Sequence, residues 1–278
     1  MSFSVSDRDI FFAAVGDVHG HFYSMLGMLQ GWENRTGNSL AFVLQVGDFL
    51  HRDAADVATM DAPAKYRKVG EFPDFYTGKA MFPWPIWFIG GNHEPYGFLD
   101  RCFAGEAIAP NCFYLSHVGE VTLEGVNVVG VSGVDREERF TRGRPDIAQC
   151  DRYSNKEYIG FTEAEIERAL ELRSPDILLL HDWPCGAINP ADAAQFVTRK
   201  YSIDHTTVGN EYARLLVDFL APQWVLCGHL HVKYRHRIPR SSGRETQFLA
   251  LANVQSGRDA IAFFRVTAEG TIVEYLEK

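Results

Sequence analysis

Five short clusters along the chain combine imidazole, carboxylate and amide groups in a pattern that suits metal binding: Gly16-Asp17-Val18-His19-Gly20, Gly47-Asp48, Gly91-Asn92-His93-Glu94, His181-Asp182 and Gly228-His229-Leu230-His231. The donors are oxygen and nitrogen, with no thiolate among them. Such mixed sets suit Mn, Fe, Zn, Co or Ni, whereas Ca and Mg favour oxygen alone. Gly16 and Gly20 remove the steric bar to a tight turn around Asp17 and His19. Each cluster alone has a plainer explanation. An Asp-x-His triplet on a turn is more often a helix cap or ordinary loop, and a single histidine is more often a hydrogen-bonded, half-buried side chain. Five clusters in one chain, each directly after an apolar run, make independent coincidence a poor account.

Those runs are residues 10–15, 40–46, 86–89, 177–180 and 224–227, rich in Val, Ile, Leu and Phe. Unbroken apolar runs of strand length are what a sheet buried on both faces requires. Helical spacing separates several of them. Phe22, Met25, Leu26 and Leu29 form one apolar stripe; Ile166 and Leu170 follow Thr162 and Glu165 at capping-box spacing; Tyr212, Leu215, Leu216, Phe219 and Leu220 run up to Pro222. Strands alternating with helices predict an α/β fold in one domain. In such sheets ligands gather beyond the carboxyl ends of the strands, where loops carry polar groups that the strands hold in place. Residues 245–276 read as closing strands of a second sheet packed on the first. Trp84, Trp87 and Phe88 lead straight into a strand and are expected in the core rather than as a base-stacking platform.

The length, 278 residues with 46% hydrophobic content, suffices for a sizeable core. No run approaches the roughly 18 apolar residues of a membrane span, and the first residues lack the pattern of a secretion signal, so the expected compartment is the cytoplasm. The five cysteines form no C-x-x-C pair and are expected as reduced thiols. A net charge of −9 argues against broad attraction to nucleic acid or membrane, although residues 139–144 and 233–240 are locally basic. Nothing in the sequence points to a protein partner.

The ordered set D-x-H, G-D, G-N-H-E, H, G-H-x-H resembles the calcineurin-like metallophosphoesterase superfamily over nearly the whole chain. The resemblance implies a two-sheet β-sandwich flanked by helices (αββα) and a pair of divalent ions. One ion would be held by Asp17, His19, Asp48 and His231, the other by Asp48, Asn92, His181 and His229, with Asp48 bridging. His93 is then left free of metal. Two divalent ions against two carboxylates leave a formal charge of about +2, which draws in a phosphate and lowers the pKa of a bridging water. The expected nucleophile is therefore a metal-bridging hydroxide attacking phosphorus in line, with ions roughly 3.5 to 4 Å apart. His93 is the expected general acid for the departing alkoxide, helped by Glu94 or Asp182. Arg52 is a candidate fork for phosphate, with a surface salt bridge as its alternative. No metal role is assigned to His21, His51, His117, His205 or His236, but His51 and His205 are candidates to line the pocket.

Within the superfamily the chain looks like RNA lariat debranching enzymes, which hydrolyse a 2'-5' phosphodiester. The matching stretches are Gly47-Asp48-Phe49, residues 63–67 (PAKYR), residues 88–94 (FIGGNHE), residues 181–184 (HDWP) and residues 229–234 (HLHVKY). Residues 135–160 occupy the place of that family's lariat-recognition loop without a residue match inside it. Many eukaryotic members carry cysteine where this chain has Asp17, and continue into a C-terminal domain for which this chain has no room. The expected substrate is thus a nucleotide diester or RNA. The alternatives are a monoester, phosphoprotein or dinucleotide phosphatase on the same centre, or a binding module that keeps the fold without turnover.

Overall fold

A computed structural model describes residues 9–60, 62–150, 153–196, 203–204, 206–240 and 243–277. In chain order the first strands are β1 Ile10–Val15, β2 Leu40–Gln45, β3 Ile86–Phe88, β4 Ala107–Ala109, β5 Cys112–Tyr114, β6 Val118–Leu123 and β7 Val126–Val131. They are followed by β8 Ile177–Leu180, β9 Trp224–Cys227, β10 Tyr234–Pro239, β11 Glu245–Ala250, β12 Ile261–Val266 and β13 Ile272–Glu274. The helices are α1 Phe22–Thr36, α2 Ala54–Ala58, α3 Phe72–Tyr76, α4 Tyr96–Leu99, α5 Glu137–Phe140, α6 Glu163–Leu170 and α7 Glu211–Leu220.

The strands form a seven-stranded sheet in the order β13-β12-β1-β2-β3-β5-β4 and a six-stranded sheet in the order β10-β11-β9-β8-β7-β6. β1, β2, β3 and β5 run parallel, as do β7, β8, β9 and β11. The apolar runs are unbroken because both faces of each sheet are covered. Phe12, Ala14, Phe42 and Leu44 point from the first sheet into the space shared with Ile177, Leu179, Leu226 and Leu249 of the second. The alternate residues Phe11, Ala13, Val15 and Val43 turn outward against Phe22, Met25, Leu29 and Trp32 of α1. Leu178, Leu180, Val225 and Cys227 turn outward against Ile166 of α6 and Leu216, Val217 and Leu220 of α7. This is the αββα layering that the family resemblance implied.

Most local expectations hold for the physical reasons given. Thr162 N–H donates to Glu165 Oε2 at 2.9 Å, the backward reach of a capping box. α7 ends at Ala221, whose φ of 53° puts it in the left-handed region just before Pro222. Trp84 and Phe88 are buried, and Trp87 stacks on Phe113 at 4.6 Å between centroids.

Two readings need correction. The buried stripe of α7 is Ala213, Leu216, Val217 and Leu220, while Leu215 and Phe219 are exposed, because the helix is rotated relative to its largest apolar residues. The closing strands are also divided between the sheets: β11 pairs parallel to β9, whereas β12 returns antiparallel to β1 and carries β13. Residues 135–160 carry α5 and two short 3-10 turns, with Phe140 and Tyr158 buried. Asn155 ties this segment to the site loops, its Nδ2 donating to Glu94 O at 2.6 Å while its Oδ1 accepts from Tyr96 N–H at 3.2 Å.

The basic stretches are largely satisfied locally. Arg139 pairs with Glu157 and Arg144 with Glu165. Arg235 pairs with Glu274, and Lys233 Nζ donates to the carbonyls of Arg258 and Ile261. None of the five cysteines is bridged in a disulfide. Among the described residues no helix is long and apolar enough to cross a membrane.

Candidate metal centre

The five clusters meet because parallel strands of both sheets end on one edge of the sandwich. Asp17 and His19 follow β1, Asp48 follows β2, Asn92 and His93 follow β3, His181 follows β8, and His229 and His231 follow β9. Four of these side chains hang from strained backbone. His19, Asp48, His229 and His231 have φ of 47°, 56°, 69° and 55°, a region that costs L-residues energy and persists only where the surroundings over-determine it. Here the surroundings do so: the Asp48 carbonyl accepts both Val18 N–H at 3.0 Å and His19 N–H at 2.9 Å, locking the first two turns together. Gln45 braces the same turn, its Nε2 donating to Gly47 O at 2.6 Å and its Oε1 accepting from Gly47 N–H at 2.9 Å.

The donor atoms converge in two directions from Asp48. Its Oδ2 lies 3.8 Å from His19 Nε2 and its Oδ1 3.6 Å from His181 Nε2. On the first side, His231 Nε2 stands 3.1 Å from His19 Nε2 and 2.9 Å from Asp17 Oδ2. On the second, Asn92 Oδ1 lies 3.1 Å from His181 Nε2 and 2.9 Å from His229 Nδ1. Ligand atoms of Asp17, His19 and His231 all fall within 4.8 Å of one another, and so do those of Asp17, Asp48 and His181.

The residues fit a cation on the state of their own atoms. Asp17 and Asp48 are almost wholly buried, and Asp17 Oδ2 makes no well-directed hydrogen bond and has the His231 imidazole beside it at 2.9 Å, a buried carboxylate oxygen that a cation in the cluster would stabilise. His181 Nδ1 lies 2.7 Å from the Val46 carbonyl, which as an acceptor fixes the proton there and leaves Nε2 as a lone-pair donor aimed at the cluster. Burial lowers the His19 pKa to about 4 against the pull of Asp48 and Asp17, so its imidazole is neutral and able to ligate near pH 7. Burial pushes the Asp48 carboxyl upward, but the imidazoles of His181, His93 and His19 outweigh it and hold the group below the usual carboxylate range. For His181, burial works downward and the Asp48 and Asp17 charges overcome it, raising the pKa. A divalent ion would replace those protons as the positive partner.

His93 sits beside the cluster and belongs to neither close group of ligand atoms. Its backbone N–H donates to Asp48 Oδ1 at 2.7 Å, and its buried ring Nδ1 has no hydrogen-bond partner among the described residues. Neither proposed helper touches its ring. Glu94 is fully buried with its carboxylate on Phe49 N–H at 2.6 Å and Leu50 N–H at 3.3 Å; burial and the Asp48 charge push its pKa well above the ordinary range. Asp182 accepts from Trp183 N–H, Asp135 N–H and Asn210 Nδ2. Both acids brace loops because unpaired backbone N–H groups there have no other partner.

Arg52 is held away from the cluster. Its Nη2 and Nε reach Asp56 at 2.6 and 2.9 Å, one helical turn along, and its guanidinium lies 3.7 Å from the Phe98 ring centroid. An ion pair is formed, with the buried Asp56 rather than with a surface acid. His51 is buried with Nε2 3.1 Å from His93 O, while His205 lies outside the described residues.

A residue the sequence did not single out covers the mouth. Tyr66 stacks on His19 at 4.3 Å and on His93 at 4.9 Å between centroids, and its hydroxyl is 3.5 Å from His231 Nδ1. It stands in the PAKYR stretch, which was visible as a match but has no periodicity to say where its ring points. Asn253 Nδ2 also reaches His231 Nδ1, at 3.1 Å.

Gly47 tests how tightly these turns are packed. At its φ of 99°, a Cβ would stand 2.5 Å from His181 Nδ1 and 2.9 Å from Gly91 backbone. Gly47→Ala is expected to cost about 1–3 kcal/mol through strain and to loosen His181. Urea unfolding and metal analysis of the purified variant check this, and wild-type values in both would refute it.

A family model for calcineurin-like phosphoesterase matches residues 12–233. A lariat debranching enzyme of Arabidopsis thaliana is 28% identical over 264 residues, covering 92% of this chain and 63% of that protein. One of Homo sapiens is 28% identical over 277 residues, covering 95% of this chain and 51% of that protein. The chain thus spans between half and two thirds of the length of these relatives. A solved structure superposes with a TM-score of 0.60 at 15% identity, covering 96% of this chain and 99% of the other, a likeness of fold. With the strand-end clusters gathered on one edge and the family pattern running through all of them, the chain belongs to the calcineurin-like phosphoesterases, metal-dependent hydrolases of phosphoester bonds.

Proposed function

We propose that the protein is a binuclear phosphodiesterase acting on a nucleotide diester such as a 2'-5' linkage, the class to which its debranching relatives' names point. The observation that carries the binuclear reading is the two-sided use of Asp48, whose oxygens face His19 on one side and His181 on the other. Asp17, His19 and His231 would complete one set, and Asn92, His181 and His229 the other. Divalent cations held there supply Lewis acidity and make water acidic enough to attack phosphorus near neutral pH.

The chain's own contributions are positioning and proton transfer. The strained, hydrogen-bonded turns fix the donors before substrate arrives, so little reorganisation is required during the reaction. As the water oxygen bonds to phosphorus and the bond to the leaving oxygen breaks, His93 donates a proton to that oxygen, releasing an alcohol. Support for a diester comes from two cavities flanking the cluster, of about 330 and 220 Å³, which offer room for two ester arms. Five cysteines without a disulfide suit a reducing compartment such as the cytoplasm.

A substrate panel tests this. With Mn supplied, 2'-5' linked dinucleotides and bis(p-nitrophenyl) phosphate are expected to be cleaved with higher kcat/KM than p-nitrophenyl phosphate. A monoester preference of orders of magnitude would replace the diesterase reading with a phosphatase.

A further inference from the structure

Tyr66 and His231 line both cavities, so both stand where the two meet. The two sides differ in chemistry. The smaller cavity contains Asp48, Asn92 and His93 and is walled by Ile203 and Leu230. The larger is lined by Lys65, Lys68 and His21, with the amides of Asn253 and Gln255, and among the described residues no carboxylate lines it. On a chain of net charge −9, a recess whose described charged side chains are basic, opening directly beside the candidate metal ligands His19 and His231, is a selective place for an anion. Lys65 Nζ lies 4.3 Å from the Tyr66 ring centroid, so the ring itself is capped by a cation.

The direction of the reaction assigns the sides. His93 lines only the smaller cavity, so the leaving oxygen that it protonates lies there, and the apolar wall receives the sugar or base of the departing alcohol. The arm that keeps the phosphorus then extends past Tyr66 into the basic recess. Resting on the phosphodiesterase reading above, we propose that this recess is an anion subsite for a second phosphate on the retained arm. The preferred substrates are accordingly diesters whose retained nucleotide carries a further phosphate, as in oligonucleotides or branched nucleic acid, rather than minimal dinucleotides. Lys65 and Lys68 are its specificity residues, and Tyr66 sets the spacing between the two phosphorus positions.

Two measurements test this, one of them independent of turnover. Calorimetric titration of the protein as purified is expected to show adenosine 3',5'-bisphosphate binding about tenfold tighter than AMP, the worth of one charge-assisted contact. In the Lys65→Ala/Lys68→Ala variant the two ligands should bind within about twofold of each other. Kinetically, kcat/KM for a 2'-5' dinucleotide bearing a phosphate on its retained nucleotide is expected to exceed that of the unphosphorylated dinucleotide by about tenfold, a ratio the double variant loses. Equal binding of the two nucleotides by the native protein, or a preference that survives the double substitution, would overturn the subsite. Absence of any diester hydrolysis with metals bound would instead overturn the phosphodiesterase reading, and the calorimetry would still decide whether the recess binds a second phosphate.

Discussion

Asp48→Asn is expected to lose metal at both positions and to lower kcat/KM by about 10³-fold or more, the loss of several kcal/mol of Lewis-acid stabilisation. The substitution is a clean one. Asparagine tolerates the left-handed conformation that Asp48 adopts at φ 56°, and its carbonyl can still accept the His93 N–H that now reaches Oδ1 at 2.7 Å. What disappears is the charge, together with one of two oxygens that face different imidazoles. Asp17→Asn is the informative comparison. Asp17 Oδ1 already accepts His229 N–H at 3.1 Å, leaving only Oδ2 directed at the cluster, so its loss should deplete chiefly the side of His19 and His231. Elemental analysis after anaerobic purification separates the two variants. Full metal stoichiometry in Asp48→Asn would remove it as the bridge, and depletion of both ions in Asp17→Asn alone would transfer that role to Asp17.

His93→Ala is expected to keep its metals and lose about 10²–10⁴-fold in kcat, the usual worth of a positioned general acid. The loss should depend on the leaving group. A nucleoside alkoxide is a strong base and requires the proton, whereas p-nitrophenolate departs without one; hydrolysis of bis(p-nitrophenyl) phosphate should therefore fall far less than that of a 2'-5' dinucleotide. Equal losses on both substrates would mean that the His93 ring does not act by protonating the leaving oxygen, since the backbone N–H that holds Asp48 is kept in the variant. A variant that loses metal would mean that the ring supports the ligand set instead. Because Glu94 and Asp182 brace backbone N–H groups, substitutions there should instead appear mainly as instability of the site loops.

The sequence by itself determined the α/β class and which polar groups stand at the strand ends, and the family resemblance implied the layer order. A polar cluster directly after an apolar run is legible because a strand buried on both faces must be apolar throughout, and its first polar residues mark where it leaves the sheet. Asp17, Asp48, Asn92, His181 and His229 could therefore be read as strand-end residues one at a time, and helical spacing located the buried faces of α1 and α6. Tertiary structure alone decided relations between distant residues. Whether β12 would pair with β1 or join β11 depends on partners far away in the chain, and so it was not legible. The phase of α7 was set by the sheet beneath it, which left Leu215 and Phe219 outside. That Arg52 pairs with Asp56, at 2.6 Å, depends on the turn into α2, which the sequence does not orient. Tyr66 lies in an aperiodic loop, where neither burial pattern nor propensity fixes a ring's direction; its place over His19 and His93 follows only from how that loop packs across the strand ends. Composition and periodicity report which groups a strand carries to its tip, while the distances between tips come from sheet pairing, a property no single segment contains.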